Sequence, residues 1–189
     1  MSNQWDAIVI GSGAAGLTAA GTATRKGLKV LVLEKTDVFG GTTAISGGGI
    51  WIPGNHHQLA AGIPEPEGAA RKYIGALVGD ELNAEALDAY LQAGPEMVRF
   101  LEDRTEVVFA LADHSPDWHP EIEGASKDGR LLRPLEYRTQ KLNGYADQLR
   151  LPRSEFNAPV GFMVDLPDLP HLDAMKSSPR SMFYMLKIV

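Results

Sequence analysis

Three short stretches near the start of the chain combine residue types at spacings that can do chemistry. The first is Gly11-Ser12-Gly13-Ala14-Ala15-Gly16, a GxGxxG run. In that pattern Gly11 permits a tight turn, Gly13 lets bare backbone approach a pyrophosphate, and Gly16 lets a helix pack closely on a strand. A helix opening here presents unpaired N–H groups and a partial positive charge to phosphates. The second is Glu34, roughly twenty residues further on, where a carboxylate accepts hydrogen bonds from a ribose hydroxyl and repels a 2′-phosphate. The third is GGTTAISGGGIWIP at 40–53, whose glycines admit a ligand against the backbone and whose Thr42, Thr43 and Ser46 add short hydrogen-bonding groups. A dinucleotide without a 2′-phosphate is the ligand expected of the first two. The fingerprint leaves FAD and NAD open. An NAD-type half would continue from the acid into another helix and strand, where this chain instead runs into glycines. On residue types alone, 40–53 also reads as a surface loop of small polar residues.

These groups meet a ligand only if a strand, a helix and a second strand hold them. Residues 7–10 form a short continuous apolar run that stops at glycine, as a buried parallel strand does. Residues 14–26 read as a helix rich in small side chains, with Arg25 and Lys26 in its last turn and Gly27 as its C-terminal cap. KVLVL at 29–33 is a second strand ending at Glu34, and the three elements together imply a right-handed crossover. Beyond the glycines, Ala70, Tyr73, Ile74, Leu77 and Val78 make one apolar face of a helix over 67–78. Asn83 or Asp80 is expected to cap the next helix, and Gly94-Pro95 to break it before PEMVRFLEDR. Residues 107–109 read as a short strand, and the Pro-, Gly- and charge-rich sequence from Asp113 onward as mostly irregular.

The bulk numbers exclude several functions. At 189 residues, 44% of them hydrophobic, the chain can bury the core of one domain or slightly more. A net charge of −6 with no basic run argues against a nucleic-acid partner. The absence of cysteine excludes disulfides, thiolate metal sites, a thiol nucleophile and a cysteinyl cofactor linkage. The N-terminus reads as a strand rather than a signal peptide, and no apolar run approaches the ~18 residues of a spanning helix, so a soluble cytoplasmic protein is expected. His56 and His57 adjoin a PGN turn with no partner at metal-ligand spacing, and a solvated loop is the better reading. His114, Asp117, His119, Glu121 and Glu123, interrupted by prolines, read as an exposed charged loop rather than a metal cluster, and Trp51 reads as a core anchor. The apolar ending MFYMLKIV carries no stop signal, and a chain that ends partway through a larger protein is expected.

GSGAAG, LEK, GGTTAISGGGIWIP and the helical pair around ELNAEALDAYLQAGPEMVRFLE together resemble the fumarate reductase and succinate dehydrogenase flavoprotein superfamily. Within it the chain is similar to the 3-ketosteroid Δ1-dehydrogenase group, and PDWHPEIEGASKDGRLLRPLEY is similar to that group's DYHPE-containing loop. The resemblance implies an α/β fold, a Rossmann-like FAD-binding domain with a GR2-type βαβ start, added helices and irregular loops, and an incomplete domain. It divides 1–189 into a Rossmann core with its Gly-rich FAD segment at 4–58 and a helical and irregular insert at 59–189. Gly11, Ser12, Gly13, Ala15 and Gly16 match the pyrophosphate loop, and Glu34 with Lys35 matches the adenosine-ribose position. Gly41, Thr42, Thr43, Ser46, Gly47 and Gly48 match the segment beside the FAD pyrophosphate, ribityl chain and ring. Members that attach FAD covalently use a histidine of this segment, and none precedes His56, so the resemblance implies non-covalent FAD.

The activity it implies is hydride transfer between flavin N5 and a carbon beside an activated carbonyl, on a steroid or other ketone or enone, with an unspecified electron acceptor. A fumarate-reductase-like reductase of activated double bonds is the alternative enzyme, and a truncated protein binding FAD weakly or not at all is the alternative of another class. Family members are much longer, so most catalytic residues are expected beyond residue 189 and the chain alone is expected to be inactive. In the steroid dehydrogenases a tyrosine of the DYHPE-like loop approaches the substrate. Here His114 and Trp118 occupy that neighbourhood, and neither is a phenol.

Overall fold

Continuous apolar sequence makes Ala7–Ile10 a strand, β1, and Val30–Leu33 a second strand, β2, paired in parallel in the register Ala7↔Val30 to Ile10↔Leu33. Between them Ala14–Arg25 is α1, ending at Lys26 with Gly27 in the left-handed region at φ +87°. The structure is a computed structural model, and it describes residues 4–152 and 168–188. The chain divides into two compact units, one from the described residues of 1–47 and 143–189, the other Gly48–Leu142.

In the first unit the βαβ start is the expected one, the fold being the α/β, Rossmann-like beginning of an FAD-binding domain. The strands leave large apolar side chains open to solvent, with Ile8 59% and Ile10 86% exposed. Phe39 pairs in parallel with Leu149, through Phe39 N–H donating to Gln148 O and Arg150 N–H donating to Phe39 O, both at 2.8 Å. Later in the same unit, the short helix α5 (Leu169–Asp173) is followed by α6 (Pro179–Ile188), where Tyr184 stacks on His171 and donates to Asp168 Oδ1 at 2.8 Å.

The second unit has its own core. Strands β3 (Ile50–Trp51), β4 (Phe109–Leu111) and β5 (Leu131–Pro134) form an antiparallel sheet in the order β3-β5-β4. The short helix α2 (His56–Ala60), then α3 (Ala69–Val78) and α4 (Ala84–Arg104), complete it. Ile52, Val98, Leu101, Phe109 and Leu132 are buried together, so one face of α4 packs against residues of the sheet and its approaches. Asn83 caps α4 as expected, its Oδ1 accepting from Ala86 N–H at 3.0 Å.

Two expectations are corrected here. Gly94-Pro95 does not break the helix: α4 runs through Pro95 for 21 residues. The usual obstacle before proline is a clash with the preceding residue's Cβ, which Gly94 lacks. Gly94 is instead a close-approach glycine, because a Cβ there would lie 3.2 Å from Ile52 Cγ2. The strand expected at 107–109 begins at Phe109 and continues to Leu111. From Asp113 to 152 the chain is mostly irregular, as expected, apart from two short 3-10 turns and β5, whose run LLRP is hidden in sequence by an arginine and a proline, yet Leu132 is fully buried.

Candidate functional site

In the first unit the glycine turn, the acid and the second glycine stretch meet. Gly11 sits at φ +94°, a backbone state that favours glycine, with open space where a Cβ would be. Gly16 is required for room instead, since a Cβ there would stand 2.0 Å from Gly11 O. Gly41, at φ +55°, packs its backbone on the turn, and a Cβ would come within 3.0 Å of Gly13 Cα. Thr43 opens a short 3-10 turn, Thr43–Ile45, and its Oγ1 accepts from Ala14 N–H at 3.1 Å, leaving its own hydroxyl hydrogen to donate. Ser46 Oγ donates to Thr43 O at 2.8 Å.

Ser12, 2% exposed, is the knot. Its hydroxyl donates to Glu34 Oε2 at 2.5 Å while accepting from Gly40 N–H at 3.1 Å, and its own amide also donates to Glu34 Oε2, at 3.0 Å. On the other carboxylate oxygen, Thr36 N–H donates to Oε1 at 3.1 Å. Thr36 Oγ1 lies 3.3 Å from Oε1 but 2.8 Å from Val38 O, and its single hydrogen goes to the nearer carbonyl. The Ser12 hydroxyl first, then the Thr36 and Ser12 amides, hold the Glu34 carboxyl down from 4.5 to about 2, so it is ionised throughout the neutral range.

The remaining expected site residues are less engaged. Ala15 lies in the first turn of α1, where amides have no carbonyl of their own helix to meet. Lys35 is exposed, Thr42 precedes the 3-10 turn, and Gly47 has open space at its Cβ position. Gly48 belongs to the second unit, where at φ +69° a Cβ would meet Pro134 Cγ at 2.9 Å.

The second unit holds polar clusters that sequence reasoning misread or missed. Asp117 is not on an exposed loop: it is 5% exposed, accepts from Arg130 Nη1 and Trp51 Nε1 at 2.6 Å each, and takes Ser126 N–H at 2.8 Å. Arg130, 1% exposed, forks its other side onto Glu65 at 2.6 and 2.9 Å. Trp51 is thus a half-buried hydrogen-bond donor beside a guanidinium rather than a plain core anchor. Only the rest of the expected cluster is superficial, with His119 pairing with Glu121 and Glu123 with Lys72. Trp118, next to the anchored Asp117, is 92% exposed.

His56 and His57 are likewise not a solvated loop. They open α2, behind Asn55, and both reach Glu102 of α4. Burial first, then the neighbouring His57, pushes the His56 imidazole below its ordinary value. For Glu102 burial pushes up, but the Phe109 amide and His57 outweigh it and leave the carboxyl below the usual range. Neither this cluster nor the Arg130 one is visible from spacing, because their members are 45 and 65 residues apart.

Residues 6–163 match the family model described as an FAD binding domain. The chain belongs to the FAD binding domain family. It is 36% identical over 98% of its length to the 3-oxosteroid 1-dehydrogenase of Mycolicibacterium smegmatis, covering 32% of that protein. It is 42% identical over 78% of its length to the 4-oxocyclohexanecarboxylate 2-dehydrogenase of Sinomonas cyclohexanicum, covering 26% of that protein. The crystal structure of 3-ketosteroid Δ1-dehydrogenase from Sterolibacterium denitrificans in complex with 1,4-androstadiene-3,17-dione superposes with a TM-score of 0.83 at 29% identity, over 99% of this chain and 32% of that one. The chain therefore spans about a third of the length of the first of these relatives. These relatives are oxidoreductases, and the cofactor of the family is FAD.

The first unit fits that group. The ionised Glu34 carboxylate is an acceptor of the kind a ribose hydroxyl takes, the Thr43 hydroxyl keeps a hydrogen for an anion, and the first-turn amides of α1 beyond Ala14 are donors of the kind a phosphate takes. Among the described residues no helix is long and apolar enough to cross a membrane.

Proposed function

We propose that this chain is the FAD-holding portion of a flavin-dependent dehydrogenase acting on ring ketones, with the flavin held non-covalently. The observation that carries the reading is the Ser12–Glu34–Gly40 knot, which draws the phosphate turn, the ribose acid and the second glycine stretch into one place. Gly11, Ser12, Gly13, Ala15 and Gly16 take the pyrophosphate, Glu34 and Lys35 the adenosine ribose. Gly41, Thr42, Thr43, Ser46, Gly47 and Gly48 run beside the rest of the cofactor. When bound, the flavin supplies a two-electron hydride acceptor at N5. The chain's own residues bind and orient it: Glu34 stays charged to accept from ribose, and Ser12 fixes that carboxylate against the turn.

The substrate class follows from the relatives' names. By their names, a 3-oxosteroid 1-dehydrogenase and a 4-oxocyclohexanecarboxylate 2-dehydrogenase both place the new double bond between the carbon that neighbours a ring oxo group and the next ring carbon. An oxo group acidifies that neighbouring carbon, so one hydrogen leaves as a proton and the next carbon gives a hydride. The protein works in solution, in the cytoplasm, on a small molecule rather than a nucleic acid.

Two preparations test this in sequence. The purified chain, as isolated or after adding FAD, is expected to be yellow and to release all its flavin on acid precipitation. A colourless chain unaffected by FAD overturns the cofactor reading, and flavin that stays in the pellet overturns the non-covalent one. Grafted in place of the matching segment of the M. smegmatis relative, the chain is expected to support dye reduction with a 3-oxosteroid or 4-oxocyclohexanecarboxylate. A flavin-loaded graft that turns over neither overturns the substrate class.

A further inference from the structure

Side chains on adjacent helical residues point about 100° apart, yet His56 and His57 converge. Their rings are 4.1 Å apart, centroid to centroid, tilted by 33°. His56 Nε2 lies 2.8 Å from one oxygen of Glu102 and His57 Nε2 lies 2.9 Å from the other. The three side chains are 25%, 27% and 15% exposed, too sheltered for a solvated polar surface. One nitrogen of the set, His56 Nδ1, is buried with no hydrogen-bond partner, and it points away from the Glu102 contacts, which both imidazoles make through Nε2. The carboxylate is itself oriented from behind, Oε1 accepting from Phe109 N–H at 2.9 Å.

We propose that His56, His57 and Glu102 bind a late first-row divalent cation, Zn²⁺ by the chemistry of the donors, independently of the flavin reading. One ligand atom from each residue lies within 4.8 Å of the other two. Zn²⁺ binds imidazole nitrogen and carboxylate oxygen at about 2.0–2.2 Å, and two histidines with one glutamate are a known three-ligand set that leaves an open position for water. A tetrahedron with such bonds has edges of roughly 3.4 Å. The 2.8 and 2.9 Å contacts run to different oxygens of Glu102, so admitting the ion asks the imidazoles to draw back by about half an ångström and the carboxylate to turn one oxygen toward both. The Phe109 amide acts as the outer hydrogen bond that holds a ligating carboxylate in place. Ligation through Nε2 leaves a proton on His56 Nδ1 with no acceptor, so the affinity is micromolar rather than tighter. Bound there, the ion clasps the first turn of α2 to the last turns of α4.

The test uses the whole 189-residue chain without an affinity tag, stripped by chelator and dialysed. Calorimetric titration with ZnCl₂ is expected to show one equivalent bound at micromolar Kd, and CoCl₂ to give visible bands at the same stoichiometry. His57→Gln and Glu102→Gln are each expected to weaken binding at least tenfold, whereas His114→Gln, on an exposed residue, leaves it unchanged. Glu102→Gln keeps an oxygen for the Phe109 amide, and circular dichroism checks that each variant is folded. Absence of saturable Zn²⁺ binding in the folded wild-type chain overturns the proposal, as does binding that survives both substitutions in folded variants.

Discussion

The two units of this chain spend their special residues differently. In the first, the chemistry is written in backbone: Gly11, Gly16 and Gly41 are where they are because of a positive φ or a missing Cβ, and around them Ile8 and Ile10 remain exposed. The second unit has positive-φ glycines too, such as Gly48 and Gly129, but what distinguishes it is buried side chains, with Val98 and Leu132 at 0% exposure and a charged trio of Glu65, Asp117 and Arg130 beneath the surface. Parallel strands are normally covered on both faces, and Ile8 and Ile10 lie open in a chain that spans about a third of its relatives' length. The second is built to stand on packing.

That contrast can be broken most forcefully at Arg130. Arg130→Ala strands two carboxylates, one of them nearly sealed from solvent, and is expected to cost about 3–5 kcal/mol in urea unfolding followed by tryptophan fluorescence. A cost near zero would mean the trio is not a buried network. Next, Leu132→Ala is expected to cost about 2–5 kcal/mol, whereas Ile10→Ala, at a side chain 86% exposed, should stay within roughly 0.5 kcal/mol. Equal effects would erase the difference between the units. Gly16→Ala sets a helix-favouring methyl against Gly11 O and is expected to destabilise the first unit by about 1–3 kcal/mol, visible as faster amide exchange in α1. Thr43→Ala removes one exposed hydrogen bond to the start of α1, worth about 0.5–1.5 kcal/mol.

The smallest effect is a pH dependence. Glu34 has a folded-state pKa of about 2 against an ordinary 4.5, so its contribution to stability is complete above 4.5 and is lost as the pH falls through the folded value. Acid titration of unfolding should show this loss between those limits in the wild-type chain and not in Glu34→Gln. Identical acid profiles would remove Glu34 from the knot.

The first unit was legible in the sequence because a turn at φ +94° and a helix packed onto a carbonyl leave glycine as nearly the sole choice, and such residues are close together in the chain. Even there the sequence did not reveal that Ser12 ties the acid to Gly40, since a serine in GxGxxG carries no periodic signal. The second unit was read less well for a physical reason. Asp117 looks like any loop acid until Arg130 and Trp51 are folded onto it, and His57 looks unpartnered until α4 brings Glu102 alongside. Gly94 looks like a breaker until Ile52, 42 residues away, is packed against it.

Flavin titration of the purified chain tests the central claim most directly. FAD fluorescence is expected to be quenched with saturation at one equivalent, and Glu34→Ala to weaken the affinity by the worth of one charge-assisted hydrogen bond, about 1.5–3 kcal/mol or roughly 10- to 150-fold. Saturable binding with the same affinity in the variant, or no saturable binding in the wild-type chain, would contradict it.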